Sequence, residues 1–216
     1  MRISLLETAA AAGLLLAFSG TASANLLTNG SLTGNVGNNT VPAGWDKVAF
    51  SPDTNDTSGG LGFGSPWSVA PSGPSPDGGT FVSLARITGS VVEAFGQTVS
   101  GLMVGGSYEL SWSEANFGLI FLNLDTGNAF EVLLDGNPIG SGGTLATGSD
   151  WFAASLTFTA TASSQQLAFR LLDNADSYLS IDGIVLEAAN VTATPEPASA
   201  VLLGVGLFGL ARLRRR

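Results

Sequence analysis

From residue 80 onward, apolar and polar side chains alternate along the chain. Tyr108, Leu110 and Trp112 fall on one side of one such segment, and the polar residues between them fall on the other. Alternation with a period of two is typical of a strand that is covered on one face. Seven segments have this β-rich character: 80–85, 91–99, 107–116, 130–134, 151–160, 167–172 and 178–186. The pair Asp135-Gly136 after the fourth segment predicts a tight hairpin turn.

These segments are separated by turns rich in Gly, Asn and Asp, and no helical periodicity competes with them between residues 25 and 194. We therefore predict an all-β fold, an antiparallel β-sandwich. Residues 34–79 differ, because Gly, Ser, Pro, Asn and Asp predominate there and aromatic residues are interspersed. This stretch predicts long loops, and loops of such length are often functional.

The composition excludes several kinds of chemistry. The 216 residues include no Cys and no His, and 17 acidic residues against 8 basic ones give a formal charge of −9. Without His there is no Ser-His-Asp or Cys-His catalysis, and without either residue there is no ordinary zinc, haem or iron–sulfur site. Disulfides are excluded too. Since phosphate contacts need Lys and Arg, we expect no nucleic-acid partner.

The N-terminus has the pattern of a signal peptide. Arg2 gives a positive start, residues 9–18 are apolar, and Ala22-Ser23-Ala24 has the small-x-small form that signal peptidase accepts. We predict a signal helix within residues 1–24, with cleavage between Ala24 and Asn25. The apolar run is too short to span a membrane, so the pattern predicts export.

The C-terminus has three parts in a fixed order. A Pro-Glu-Pro motif comes first, residues 198–211 are uncharged and mostly apolar, and Arg residues end the chain. Positive charge keeps its end of an apolar helix in the cytoplasm, which predicts a transmembrane helix and a precursor anchored in the inner membrane. The residues that carry the pattern are Pro195, Glu196, Pro197, Arg212, Arg214, Arg215 and Arg216. The predicted domains are a signal peptide (1–24), a β-sandwich (25–190), a linker (191–194) and a sorting signal (195–216).

This tail resembles the PEP-CTERM sorting signal, whose motif Pro195, Glu196 and Pro197 match residue by residue. Such tails occur on exported proteins of bacteria with an outer membrane, many of which produce extracellular polysaccharide. The resemblance implies that an exosortase recognises the tail and removes it. It also implies a final location at the cell surface or outside the cell. A plain C-terminal membrane anchor is the alternative.

The rest of the chain resembles the galactose-binding-like jelly rolls, a fold that many carbohydrate-binding modules share. The opening Asn25-Leu26-Leu27-Thr28-Asn29-Gly30-Ser31 and the later Pro42-Ala43-Gly44-Trp45 carry the resemblance. The closing residues 178–186 and the middle segments 130–136 and 151–159 add to it. The resemblance implies a jelly-roll sandwich, whereas fold alone does not give function.

The resemblance also draws attention to Asp182. In related modules an Asp here, together with an acidic residue soon after the N-terminal Asn-Gly motif, can hold a structural Ca²⁺. The partner position here is Leu32-Thr33, which offers no carboxylate, although Ca²⁺ needs six to eight oxygen ligands. The alternative is a polar residue that binds a nearby loop. We expect no other cofactor.

Trp45, Trp67 and Tyr178 are candidate platforms on which a sugar ring could stack, with Asp53 nearby to accept hydroxyl hydrogens. Each Trp could instead fill the core of the sandwich. A Gly-Trp pair after the first strand favours that structural role for Trp45, while both roles stay open for Trp67. Trp112, in the middle of a strand on its apolar side, is expected in the core.

We do not expect an enzyme. A glycosidase needs two suitably spaced carboxylates, and none of the glutamates on the predicted strands stands in a recognisable motif. These glutamates are Glu93, Glu109, Glu114 and Glu131. The favoured function is an exported, exosortase-sorted protein that interacts with exopolysaccharide. A purely structural envelope or biofilm component is the alternative, and a glycan-active enzyme ranks third.

Overall fold

The computed structural model describes residues 24–58, 66–172 and 175–189. The predicted signal helix and transmembrane helix lie outside the described residues, as do Ala22 and the whole sorting motif. No helix within the described ranges is long and apolar enough to cross a membrane.

The described part of the chain folds into eleven strands and one short 3₁₀ helix at Ile120–Leu122. The strands are β1 (Asp46–Ala49), β2 (Asp53–Asn55), β3 (Phe81–Ile87), β4 (Val91–Val92), β5 (Ala94–Ser100), β6 (Ser107–Asn116), β7 (Phe130–Leu134), β8 (Asn137–Ser141), β9 (Ser149–Thr159), β10 (Ser164–Leu171) and β11 (Ser177–Ala188). One sheet has the order β1-β5-β10-β7-β8 and the other β2-β3-β11-β6-β9, with β4 paired to β3. All of these pairings are antiparallel. The fold is the predicted antiparallel sandwich, of the jelly-roll type.

The main hydrophobic core lies between the two sheets. Tyr108, Leu110 and Trp112 of β6 all point into it, as the alternation predicts. Trp45 packs there against Phe95, with ring centroids 5.0 Å apart. Because alternate residues of a strand face opposite sides, the polar partners of the β6 residues lie on the other face.

A second hydrophobic cluster covers the outer face of the β2-β3-β11-β6-β9 sheet. Val82 and Leu84 of β3 belong to the main core, whereas Phe81 and Ala85 of the same strand belong to this outer cluster. Residues from loops, including Trp67, pack against this outer face. This sheet is therefore covered on both sides over part of its area.

The prediction of long loops for residues 34–79 is incomplete, since β1 and β2 lie within that stretch. Both are short strands at sheet edges. β1 is largely exposed, and the buried residues of β2 are polar, so neither shows hydrophobic alternation in the sequence. The predicted segment 91–99 is divided at Glu93 into β4 and β5, which belong to different sheets. The predicted hairpin is present: Asp135 and Gly136 both have positive φ between β7 and β8.

Candidate functional site

Two crossings of the chain between the sheets meet at one corner of the sandwich. The chain leaves β1 in one sheet and enters β2 in the other through residues 50–52, and it passes from β4 to β5 at Glu93. The Ser51 hydroxyl donates a 2.9 Å hydrogen bond to Oε1 of Glu93 and so ties the two crossings together. A cavity of about 510 Å³ opens at this corner, and we call it the corner cavity.

Glu93 forms part of the polar wall of the corner cavity. Its side chain is buried, and its Oε2 accepts a 2.6 Å hydrogen bond from the backbone N–H of Ala85 on β3. The pKa of Glu93 is raised to about 7, mainly by burial. The hydrogen bonds from Ala85 and Ser51 oppose this rise, and the neighbouring Asp53 charge contributes to it.

Asp53, on β2, lies on the same cavity as Glu93. Its Oδ1 accepts a 2.9 Å hydrogen bond from the Asn39 backbone, and its Oδ2 accepts one of 2.8 Å from the Tyr178 hydroxyl. Burial raises the pKa of Asp53. Burial, together with the nearby Asp53 charge, also holds the pKa of Tyr178 well above its usual value, so this hydroxyl stays a neutral donor at physiological pH.

The apolar part of the lining of the corner cavity comes from the 3₁₀ segment. Leu119 and Leu124 are buried in the outer cluster and anchor the segment at both ends. Between them Phe121 and Leu122, which line the cavity, each remain 55% exposed. Asn123, in the left-handed conformation, ends the helix. The cavity therefore combines an exposed aromatic ring with carboxylate and amide groups, which is the chemistry that a sugar needs.

Of the four residues predicted to bind a ligand, two line the corner cavity and two are buried tryptophans. Asp53 and Tyr178 both lie at the corner cavity. Trp67 is buried, with its ring 6.0 Å from Tyr178 and 5.5 Å from Phe117, and its Nε1 donates to Thr57 O. Trp45 is buried in the main core and donates to Asn29 O at 2.9 Å. Neither indole offers the exposed face that a stacking platform needs, whereas the side chain of Phe121 is 55% exposed.

The other strand glutamates lie away from the corner cavity. Glu131 forms an ion pair of 2.6 Å with Arg170. Glu114 is buried and accepts a 2.8 Å hydrogen bond from Trp112 Nε1. Their partners give both residues structural roles.

Asp182 lies on β11 and is fully buried, and it does not line the corner cavity. The Ser75 hydroxyl donates to its Oδ2, whereas its Oδ1 has no hydrogen-bond partner. Burial raises the pKa of Asp182 to about 7, and the nearby Asp77 carboxylate adds to the effect. Leu32, at the expected position of the acidic partner, is buried in the main core.

An unpartnered carboxylate oxygen beside a second carboxylate is the kind of ligand that Ca²⁺ uses. The described ranges nevertheless contain no group of three or more His, Cys, Asp or Glu residues placed to hold a metal ion. Backbone carbonyls and the Ser75 hydroxyl would have to supply the remaining oxygens.

The sequence analysis did not single out Asn39, Phe121 or Leu122 as site residues, and it considered Glu93 only as a candidate catalyst. One signal was present in the sequence. Ile120-Phe121-Leu122 is an apolar run outside every predicted strand, and an apolar run on a loop often marks a binding surface.

Residues 193–216 match the PEP-CTERM protein-sorting motif. No curated protein matches the chain. Among solved structures, the fold is similar to the CBM22-1 xylan-binding domain from Paenibacillus barcinonensis, at 11% identity and a TM-score of 0.48, over 81% of this chain and 100% of that one. It is also similar to TmCBM61 in complex with β-1,4-galactotriose, at 12% identity and a TM-score of 0.45, over 77% and 99% of the two chains.

A third similar structure is the enzymatically active domain of tailspike protein 4 from bacteriophage CBA120. The identity is 17% and the TM-score 0.45, and the match covers 76% of this chain. The chain spans only 21% of the length of that tailspike. The chain thus carries a PEP-CTERM sorting motif, which implies export and exosortase processing, behind an antiparallel β-sandwich.

Proposed function

We propose that this protein is a cell-surface or extracellular-matrix component that binds exopolysaccharide in the corner cavity. The observation that carries the proposal is that Phe121 and Leu122 line the same cavity as the carboxylates of Asp53 and Glu93. A sugar ring has an apolar C–H face and polar hydroxyl edges, so it matches both walls at once.

The polar wall is held in place before any ligand arrives. Four hydrogen bonds fix the two carboxylates, from Ser51, Ala85, Asn39 and Tyr178. A carboxylate oxygen can accept more than one hydrogen bond, which leaves capacity for sugar hydroxyl groups. Preorganisation of this kind lowers the entropy cost of binding.

A binding role is favoured over a catalytic one because both carboxylates are restrained on each of their oxygens by fixed donors. A glycosidase needs one carboxyl group as acid and another as base or nucleophile, on either side of the scissile bond. The purely structural role stays as the alternative, and it predicts no saturable binding of any glycan.

The test is a glycan panel, which includes the exopolysaccharide of the native host, applied to the full-length protein in detergent. Phe121→Ala removes the exposed ring and should weaken binding about tenfold, the upper range for an aromatic contact. The matched control is Phe152→Ala, since the side chain of Phe152 has a similar exposure of 57%. Phe152 lies on β9, the edge strand at the other end of the sheet from β2. Equal effects of both variants, or no binding to any glycan, would contradict the proposal.

Processing at both ends belongs to the same proposal. The signal peptide would be removed before Asn25, and exosortase would release the sandwich from a precursor anchored in the inner membrane. Asn25 supports this boundary, because its side chain already belongs to the fold: Oδ1 accepts from Leu186 N at 3.0 Å and Nδ2 donates to Ile184 O at 2.9 Å.

Intact-mass measurement of the protein from its native host tests the processing. The mature form should begin at Asn25 and lack Arg212, Arg214, Arg215 and Arg216. A mature form that keeps the Arg tail would contradict processing by exosortase and would favour a plain membrane anchor.

A structural Ca²⁺ at Asp182 is a separate part of the proposal, supported by its unpartnered Oδ1 and by the nearby Asp77. Bound Ca²⁺ would neutralise two carboxylates and so stabilise the fold. The melting temperature should then rise in Ca²⁺ relative to EDTA for the natural protein and not for Asp182→Asn. The same melting temperature in both buffers would remove the metal from the proposal.

A further inference from the structure

We infer that the corner cavity selects sugars that carry a free ammonium group, as in a de-N-acetylated amino-sugar polysaccharide. The inference rests on the proposed glycan binding and narrows it to one chemical class. It follows from the charges on the polar wall and from the groups that accompany them.

Two carboxylates line the corner cavity, and the hydrogen bonds that hold them come from neutral donors. Those to Glu93 come from the Ser51 hydroxyl and the Ala85 backbone. Those to Asp53 come from the Asn39 backbone and the Tyr178 hydroxyl. Neutral hydroxyl and N–H groups therefore surround the two carboxylates. These hydrogen bonds supply no positive charge to neutralise them.

The basic side chains of the described residues donate to groups other than these two carboxylates, although Lys47 reaches Asn39 at the rim of the corner cavity. Lys47 donates to Asn39 O and Oδ1 at 3.2 and 3.0 Å, and Arg170 pairs with Glu131. Arg86 directs its Nη1 to the carbonyl groups of Ile87 and Val91. None of the three lines the cavity.

A buried carboxylate that meets only neutral donors is costly unless a cation joins it. The raised pKa of Glu93 has burial as its largest cause, and the nearby Asp53 adds to it. A ligand that brings a positive charge would relieve both effects together. A uronate or sulfated sugar would add a third negative group to the same wall and would be repelled.

The apolar lining favours an organic cation such as an amino sugar over a bare metal ion. A bare metal ion gains nothing from Phe121 and Leu122, and among the described residues no group of three or more metal-binding side chains exists. An amino sugar presents a C–H face to the ring of Phe121 while its ammonium group reaches the carboxylates. The ring can also attract the cation directly.

The test compares two ligands that share one backbone, using calorimetry on the full-length protein in detergent. Chitosan oligomers carry free ammonium groups, and chitin oligomers of the same length carry acetamides instead. At about 0.15 M salt, the general acidic surface is screened. We expect saturable binding that is at least about tenfold tighter for the chitosan oligomer, equivalent to one properly formed charge-assisted contact.

Glu93→Gln and Asp53→Asn should each abolish the preference for the ammonium form. Both replacements keep the shape of the side chain, and circular dichroism will show whether each variant is folded. Glu109→Gln removes the same charge from an exposed site on β6 and should leave the preference unchanged. A preference that survives in both cavity variants, or falls equally in Glu109→Gln, would overturn the inference.

The remaining outcomes separate this inference from the proposed function. Equal affinity for both oligomers, or tighter binding of the acetylated one, would overturn the ammonium selectivity and leave glycan binding intact. A lysine-rich peptide that binds as tightly as chitosan would overturn it in favour of a protein ligand. The proposed function itself fails only if no glycan on the panel binds the folded protein.

Discussion

The Tyr178 hydroxyl donates a 2.8 Å hydrogen bond to Oδ2 of Asp53, and this contact reaches across β3 from the centre of the sheet to its edge. The register allows it, because Tyr178 lies directly opposite Ala85, whose small side chain leaves room for the phenol ring. Asn55 of β2 donates to the same hydroxyl at 3.0 Å. Tyr178 therefore holds both the edge strand and one carboxylate of the corner cavity.

Replacing Tyr178 by Phe should destabilise the fold by about 1–3 kcal/mol, the usual cost of leaving buried polar groups unsatisfied. The ring still packs in the outer cluster, but Asp53 Oδ2 loses its donor and Asn55 Nδ2 loses its acceptor. Urea unfolding measures the change. Unaltered stability would show that these bonds contribute little to the attachment of β2.

The protein should lose stability as the pH rises from about 5 to 8. The fold raises the pKa of Glu93 from 4.5 to about 7 and that of Asp182 from 3.8 to about 7, so the folded state holds protons that the unfolded chain has already released. Where the folded state binds more protons, stability falls with increasing pH. Melting temperatures across this pH range measure the effect.

Glu93→Gln should raise the melting temperature at pH 8 and weaken the pH dependence, because the amide carries no charge to bury. Glu187→Gln removes a charge from β11, away from Glu93, and should change neither the melting temperature at pH 8 nor its pH dependence. A variant that is more stable but loses ligand preference would show that Glu93 is kept for binding rather than for folding. A lower melting temperature at pH 8 would contradict this account.

Trp67→Ala should cost about 3–5 kcal/mol, the range for removing a large buried aromatic side chain. The ring packs against Phe81, Phe117 and Tyr178, so its loss leaves a void in the outer cluster. Phe121→Ala, at a half-exposed ring, should cost clearly less than Trp67→Ala, because much less buried surface is lost. Denaturant unfolding of both variants tests the contrast, and a stable Trp67→Ala protein would contradict the burial of this ring.

The sequence predicts the strands that are covered on one face. The predicted segment 107–116 coincides with β6, since its alternation reflects burial in the main core. Short edge strands such as β1 leave no such pattern, because most of their side chains are exposed. Hydrophobic periodicity reports the burial of apolar side chains rather than strand pairing. β2 escaped prediction because it is three residues long and its buried side chains, Thr54 and Asn55, are polar.

The corner cavity was beyond sequence analysis for a different reason. Asp53 and Tyr178 are 125 residues apart in the chain, and Glu93 joins them only because the chain changes sheets there. Such a crossing is a property of the tertiary fold, and no local motif encodes it. Trp45 and Trp67, which the sequence suggested as stacking platforms, are buried in the two hydrophobic clusters. Burial of a large aromatic side chain stabilises the fold.

The Asn29-Gly30 pair is part of the motif that resembles the jelly rolls, and the structure explains why a glycine stands at position 30. A substitution can test this explanation. Gly30 lies against β11: its carbonyl accepts a 2.8 Å hydrogen bond from Ile184 N, and an added Cβ would lie 2.1 Å from Ile184 O. Backbone atoms cannot move aside as a flexible side chain can. Gly30→Ala should therefore force the N-terminal segment off β11 and cost about 1–3 kcal/mol or more, as overpacking does.

Gly73→Ala is the matched control for Gly30→Ala, because a Cβ there would meet no atom within 4 Å. It should leave the melting temperature nearly unchanged, as expected for a surface substitution. Hydrogen exchange gives a second readout, since Gly30→Ala should release the amide of Ile184 while amides in the middle of β10 stay protected. If both Gly variants melt alike and Ile184 keeps its protection, the close approach of Gly30 to β11 does not explain the motif.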